Sequence, residues 1–181
     1  MKAGGPFEMT VNDIRLKDIL VGDVWLCSGQ SNMELTAGRV TDKFAEEIAR
    51  DENPMIRYVK IPLGNDLHGP KDDLPGADWM PLTKETAPSF SALAYFFAKE
   101  MYRETQVPVG IVNSSWGGSS VEAWMSEEAL QKFPRQLHER DLFDSDEYRE
   151  LCNRSGQMMN RFWDAALYKG DQGLHDGICW N

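Results

Sequence analysis

The chain has 181 residues, 41% of them hydrophobic, and a formal net charge of −10 with the histidines neutral. That length supports one domain with a hydrophobic core, and that apolar content excludes a disordered chain. The acidic balance argues against nucleic acid and membranes as partners, since anionic surfaces call for a basic patch, and there is no run of about 18 apolar residues to cross a bilayer.

In chain order, residues 5–20 alternate. Phe7, Met9 and Val11 share one strand face, and the turn signal Asn12-Asp13 separates them from Ile14 and Leu16. A β-hairpin, or the tail of an N-terminal β unit, is expected over residues 1–20. Val21 to Ser28 reads as a buried strand that runs into Gly29-Gln30-Ser31-Asn32-Met33. Met55 to Ile61 is a second strand. Residues 64–88, with Gly64, Gly69, Pro70, Pro75, Gly76, Pro81 and Pro88, read as a long irregular loop. Phe90, Leu93, Ala94, Phe97 and Met101 recur at helical spacing behind the start signal Pro88-Ser89, and this stripe is expected in the core. Val107 to Ser114 is a third strand. A long helix is expected from Asp144 to about Lys169, capped by Asp144, with Leu151, Cys152, Ser155, Met159, Phe162 and Ala166 as its buried stripe and Gly170 as its stop. Residues 171–181 show no period. Alternation of strand and helix predicts a parallel sheet with flanking helices.

Two stretches carry chemistry. Ser31 follows a strand and a glycine, so its hydroxyl is expected at the carboxyl edge of the sheet, where ligands bind in open α/β folds. A serine there can attack an ester while nearby N–H groups receive the oxyanion. Gln30 and Asn32 add amides on either side of it. Met33 occupies the place of the second glycine in a G-x-S-x-G elbow, which disfavours a standard α/β-hydrolase. The second stretch is Asn113-Ser114-Ser115-Trp116-Gly117-Gly118-Ser119-Ser120, whose glycines allow close backbone approach. It lacks the G-K-[ST] of a phosphate loop and reads more naturally as an oxyanion loop beside Ser31. Trp116 and Trp124 border it, and their faces suit the C–H face of a sugar; Trp25 is expected in the core. The candidate bases are His68, His138 and His175, and none stands three residues after an aspartate. Cys27, Cys152 and Cys179 form no disulfide framework, Cys27 being expected as a small buried apolar group, and no metal-ligand spacing is present.

Asp23-Val24-Trp25-Leu26-Cys27-Ser28-Gly29-Gln30-Ser31-Asn32-Met33-Glu34 resembles the first signature of the sialate O-acetylesterases, in the SGNH hydrolase superfamily. Residues 90–98, 107–119 and 122–126 also resemble family segments, in the family's order. The resemblance implies a three-layer, flavodoxin-like α/β domain over residues 21–170, carrying only part of the family's sheet and preceded by a short β segment. It implies removal of O-acetyl groups from an acetylated carbohydrate, with Ser31 as nucleophile. The Ser31 N–H and Gly117, with Gly118 as alternate, would serve the oxyanion hole, and no cofactor is implied. Family habit suggests export, although no signal-peptide apolar region is read in the opening residues. The family's later Gly-Glu-Ser-Asn-like and Asp-x-x-His segments have no match here, and 171–181 resembles the start of an inserted module. An internal portion of a longer protein is therefore expected. The alternative reading is a non-catalytic carbohydrate-binding module of the same fold, whose sugar binding would survive Ser31→Ala and be lost on Trp116→Ala.

A serine without a base stays protonated and weakly nucleophilic, and losing one triad member costs several powers of ten. The 181-residue chain alone is expected to hydrolyse aryl acetates little faster than its Ser31→Ala form. A chromogenic acetate assay checks this, and a large Ser31-dependent rate would promote His68 or His175 to base.

Overall fold

The computed structural model describes residues 2–64, 69–73 and 76–168. The chain divides into two units, one of Met1–Asn65 with Pro70–Ser120 and one of Asp66–Gly69 with Val121–Asn181.

In the first unit, β1 (Gly4–Val11) and β2 (Ile14–Val21) pair antiparallel around Asn12 and Asp13. Asn12 takes φ 53°, a left-handed conformation that asparagine tolerates. An ion pair of 2.8 Å from Arg57 to Asp18 ties this hairpin to the main sheet. The hydrogen bond from Arg57 holds the Asp18 carboxyl below its ordinary pKa.

The main sheet contains β3 (Asp23–Gly29), β4 (Asn53–Lys60), β5 (Met80–Leu82) and β6 (Val109–Ser115), in the order β3-β6-β4-β5. β3, β6 and β4 run parallel; β5 is antiparallel to β4, so the sheet is mixed. β5 lies inside the stretch read from sequence as loop. Three residues around a proline give no period to detect, and Pro81 suits an edge strand because it lacks an N–H.

Along β6 burial alternates: Val109, Ile111, Asn113 and Ser115 are buried. Register puts Trp25 and Cys27 of β3, and Ile56 and Tyr58 of β4, on this same face. It packs against α3 (Ala92–Thr105), whose buried residues are Ala92, Ala94, Tyr95 and Ala98. The helix begins at Ser91, not Ser89, and the Ser91 hydroxyl accepts the Ala94 N–H at 3.4 Å. The stripe read in sequence holds at Phe90, Ala94 and the partly buried Met101, and fails at Leu93 and Phe97. Ala94 and Ala98, one turn apart, let the helix approach the sheet, and Tyr95 packs beside them. Leu93 is 53% exposed and Phe97 36%. Phe90 precedes the helix and stacks on Tyr58, ring centroids 4.3 Å apart and 15° from parallel. Trp25, expected in the core, is 40% exposed and meets Phe97 edge-on at 5.2 Å.

α1 (Ser31–Glu34) follows β3, and α2 (Thr41–Arg50) leads into β4. The end of α2 is tied to α3 by a polar cluster. The Tyr95 hydroxyl donates to Asp51, while the Lys99 ammonium pairs with Glu47 and Asp51 and lies 3.2 Å from the Tyr95 oxygen. Burial and the bond to Asp51 raise the Tyr95 phenol pKa. Burial alone would lower Lys99, but its hydrogen bonds outweigh that and hold it above its ordinary value.

The second unit contains α4 (Glu127–Leu130), α5 (Pro134–Asp144) and α6 (Asp146–Tyr168). Asp144 thus ends one helix rather than capping the next. Ser145 makes the break, and its hydroxyl accepts the Tyr148 N–H at 3.2 Å. The stripe expected to be buried on α6 is largely open: Leu151 is 51% exposed, Met159 38%, and Cys152 and Ser155 are exposed too, with Phe162 half-buried. Periodicity gave the helix correctly, but not the burial of its apolar face. The Ala166 side chain, Gly170 and residues 171–181 lie outside the described set.

Phe90→Ala should cost about 3–5 kcal/mol, because it empties a fully buried ring site. Leu93→Ala should cost less than about 1 kcal/mol. Urea denaturation of both variants checks the assignment of the α3 face.

Candidate active site

β3 stops because Gly29 turns the chain at φ +145°, and a side chain there would come within 2.9 Å of Met33 Cγ. Gln30 caps α1, whose first residues, Ser31 and Asn32, are exposed. Among the described residues no partner is found for the Ser31 or Asn32 N–H, as expected for the first donors of a helix.

β6 runs in register with β3 to the last residue, Gly29 opposite Ser115. Both loops therefore leave one rim of the sheet. The Trp116 N–H donates to the Gly29 carbonyl at 3.0 Å, which extends the pairing by one step. At Gly117 an added Cβ would lie 3.6 Å from Ser31 Cα, 3.7 Å from Ser31 Cβ and 2.7 Å from Glu34 Oε2. The glycine loop thus lies directly against the serine turn, and only glycine fits without moving Glu34. Gly118 has φ +79°, and a Cβ there would meet nothing within 4 Å.

Three further contacts join the two loops. Gln30 Nε2 donates to the Ser119 carbonyl. The Gly117 N–H donates to Glu34 Oε2 at 2.6 Å. Asn113 Nδ2 donates to the Cys27 and Met33 carbonyls at 3.4 and 3.3 Å, while its Oδ1 accepts the Ser115 hydroxyl at 2.8 Å. Trp116 is half-buried and its carbonyl accepts the Ser119 hydroxyl at 2.7 Å.

Of the candidates read from sequence, the fold brings together Gln30, Ser31, Asn32, Trp116, Gly117 and Gly118. Trp124 belongs to the second unit. His138 is exposed on α5, and His68 and His175 lie outside the described residues. Cys27 is half-buried against the core, and burial raises its thiol pKa, which suits an inert apolar role. Three residues were missed as participants. Glu34 could have been found from its place three residues after Ser31, since residues so spaced share a helix face. Asn113 and Ser115 could have been found as polar residues at inward parity on an apolar strand.

An α/β fold of this kind is found in a known class of carbohydrate esterases. A crystal structure of a carbohydrate acetylesterase from Xanthomonas citri matches with a TM-score of 0.66 and 40% identity, over 75% of this chain and 32% of that one. The family model described as "Carbohydrate esterase, sialic acid-specific acetylesterase" matches residues 21–176, and the chain belongs to that family. The sialate O-acetylesterase of Rattus norvegicus is 35% identical over 147 residues, which cover 72% of this chain and 27% of the relative. That of Homo sapiens is 34% identical over 149 residues, 72% of this chain and 28% of the relative. The chain thus spans a little over a quarter of the length of these relatives.

Asn113→Leu should destabilise the first unit by about 1–3 kcal/mol, because it strips buried carbonyls and the Ser115 hydroxyl of their partner. Chemical denaturation measures this, and stability equal to the parent would remove Asn113 from the account of how the rim is held.

Proposed function

We propose that the protein acts as a carbohydrate O-acetylesterase with Ser31 as its nucleophile. The observation that carries this reading is the placement of the Gly117 backbone against Ser31 on a common sheet rim. A nucleophile and an oxyanion loop must meet in this way to hold one acetyl group. Ser31 Oγ attacks the acetyl carbonyl carbon and its proton passes to a base outside the described residues. The carbonyl oxygen takes the negative charge and accepts N–H bonds from Ser31 and from the Gly117-Gly118 loop. Collapse breaks the bond to the sugar oxygen, which leaves with the proton, and acetate stays on Ser31 as an ester. Water then attacks that ester, releasing acetate and restoring the hydroxyl.

Asn32, exposed, and Trp116, half-buried beside the glycine loop, are the groups proposed to contact the sugar. Gln30 ties the two loops through Ser119 and so fixes the rim. Family membership supports an acetylated carbohydrate as the substrate class, and its relatives' names point to O-acetylated sialic acid. A net charge of −10 gives no general attraction for an anionic sugar, so local contacts carry that choice.

Expressed from its complete reading frame, the protein should release acetate from O-acetylated sugars. Ser31→Ala should lower kcat by about three powers of ten or more. Acetate release measured on both forms checks this, and an undiminished rate in Ser31→Ala would reassign the nucleophile.

A further inference from the structure

The contact between Glu34 and the glycine loop goes beyond the nucleophile and its family. Glu34 ends the short helix that Ser31 begins, so one helical turn carries both groups. Its Oε2 accepts the Gly117 N–H at 2.6 Å, a short charge-assisted bond between residues 83 apart in sequence. No ion pair involves Glu34 among the described residues, so this half-buried carboxylate is spent on a loop amide rather than on a surface cation. Glycine lets the carboxylate come this close, since a Cβ at Gly117 would stand 2.7 Å from the same oxygen and displace it.

Resting on the esterase reading for its chemical meaning, we propose that Glu34 is a positioning residue that clamps the glycine loop against Ser31 by holding the Gly117 N–H. The clamp divides labour between the two glycines. Gly117 is the anchor, because its only N–H is committed to the carboxylate. Gly118 follows with φ +79°, open space around it and no partner for its amide among the described residues. The loop donor left for an acetyl oxygen is therefore one residue beyond the glycine that touches the serine.

The test uses the ¹⁵N-labelled 181-residue chain and the variants Glu34→Gln and Glu34→Leu. Glutamine keeps an oxygen acceptor and loses the charge; leucine loses both. Glu34→Leu should speed hydrogen exchange of the Gly117 amide by about tenfold or more and move its proton resonance upfield. Glu34→Gln should stay within about threefold of the parent in exchange rate. In protein from the complete reading frame, kcat for an acetylated sugar should fall about tenfold or more in Glu34→Leu, with KM little changed, and recover largely in Glu34→Gln. Equal exchange at Gly117 in all three proteins, or equal loss in the glutamine and leucine forms, would overturn the clamp. Should Glu34→Leu fail to fold, Glu34→Asp, one methylene too short to reach, takes its place in the same comparison. Absence of acetate release from the parent would count against the esterase reading, while the exchange rates still decide the clamp.

Discussion

The arrangement of the rim depends on one constraint, the unbroken parallel register between β3 and β6. Seven consecutive residues pair, and the last pair is Gly29 with Ser115. Side chains alternate along both strands, so a slip of one residue would turn Cys27 and Asn113 to opposite faces. It would also separate the serine turn from the glycine loop by one strand step, about 3.3 Å. The bond from the Trp116 N–H to the Gly29 carbonyl carries the register past the strand ends and into the loops. The long stretch of chain between Ser31 and β6 does not set how the two turns meet; the hydrogen-bond ladder brings them to one rim.

Apolar packing alone does not pin such a rim, because it is tolerant of small shifts. Directional polar contacts do. Asn113 is 1% exposed, and its amide and carbonyl groups are all engaged, linking β6 to the β3 end and to α1. No buried side-chain nitrogen or oxygen lacks a partner among the described residues. A fully satisfied buried network specifies one geometry, since any displacement leaves a desolvated group unpaired. Glu34 and Gln30 act at the more exposed end of the same seam, and there hydrogen bonds compete with water. The seam therefore grades from a buried, committed network at Asn113 to the exposed Ser31 at the surface.

Much of this was legible in sequence where local rules act. The strand into Gly29, the glycine loop after the third strand and the turn at Asn12-Asp13 each carry a residue type that marks the local conformation, although the strand, read as buried, is largely exposed at Val24 and Leu26. The family resemblance then supplied what periodicity lacks, the expectation that two distant turns meet. What stayed hidden is tertiary. On α3 the stripe was right at Ala94 but wrongly took in Leu93 and Phe97 and left out Ala98, because apolarity favours the large residues while close approach of the helix to the sheet favours the small ones. β5 was invisible because three residues cannot show a period. The stripe of α6 is genuine amphipathicity, but periodicity says only which face is apolar and never what covers it. Glu34 escaped notice because its partner, a backbone amide, leaves no mark in the sequence except a glycine.

The core and the rim are also mechanically continuous. After α1 the chain runs back alongside the start of α3. The Ala92 N–H donates to the Leu35 carbonyl at 2.7 Å, and the Ala37 N–H donates to the Phe90 carbonyl at 2.8 Å. Phe90 is stacked on Tyr58, whose hydroxyl oxygen accepts the Ser91 N–H at 3.3 Å. The helix that carries Ser31 is only four residues long and could not hold its shape alone. Its stability is borrowed at both ends, from the strand register through Gly29 and from the aromatic stack through Leu35 and Ala37. Phe90, deep in the core, is thus linked to the serine turn through backbone hydrogen bonds, and its substitution would act on the turn through position rather than through chemistry.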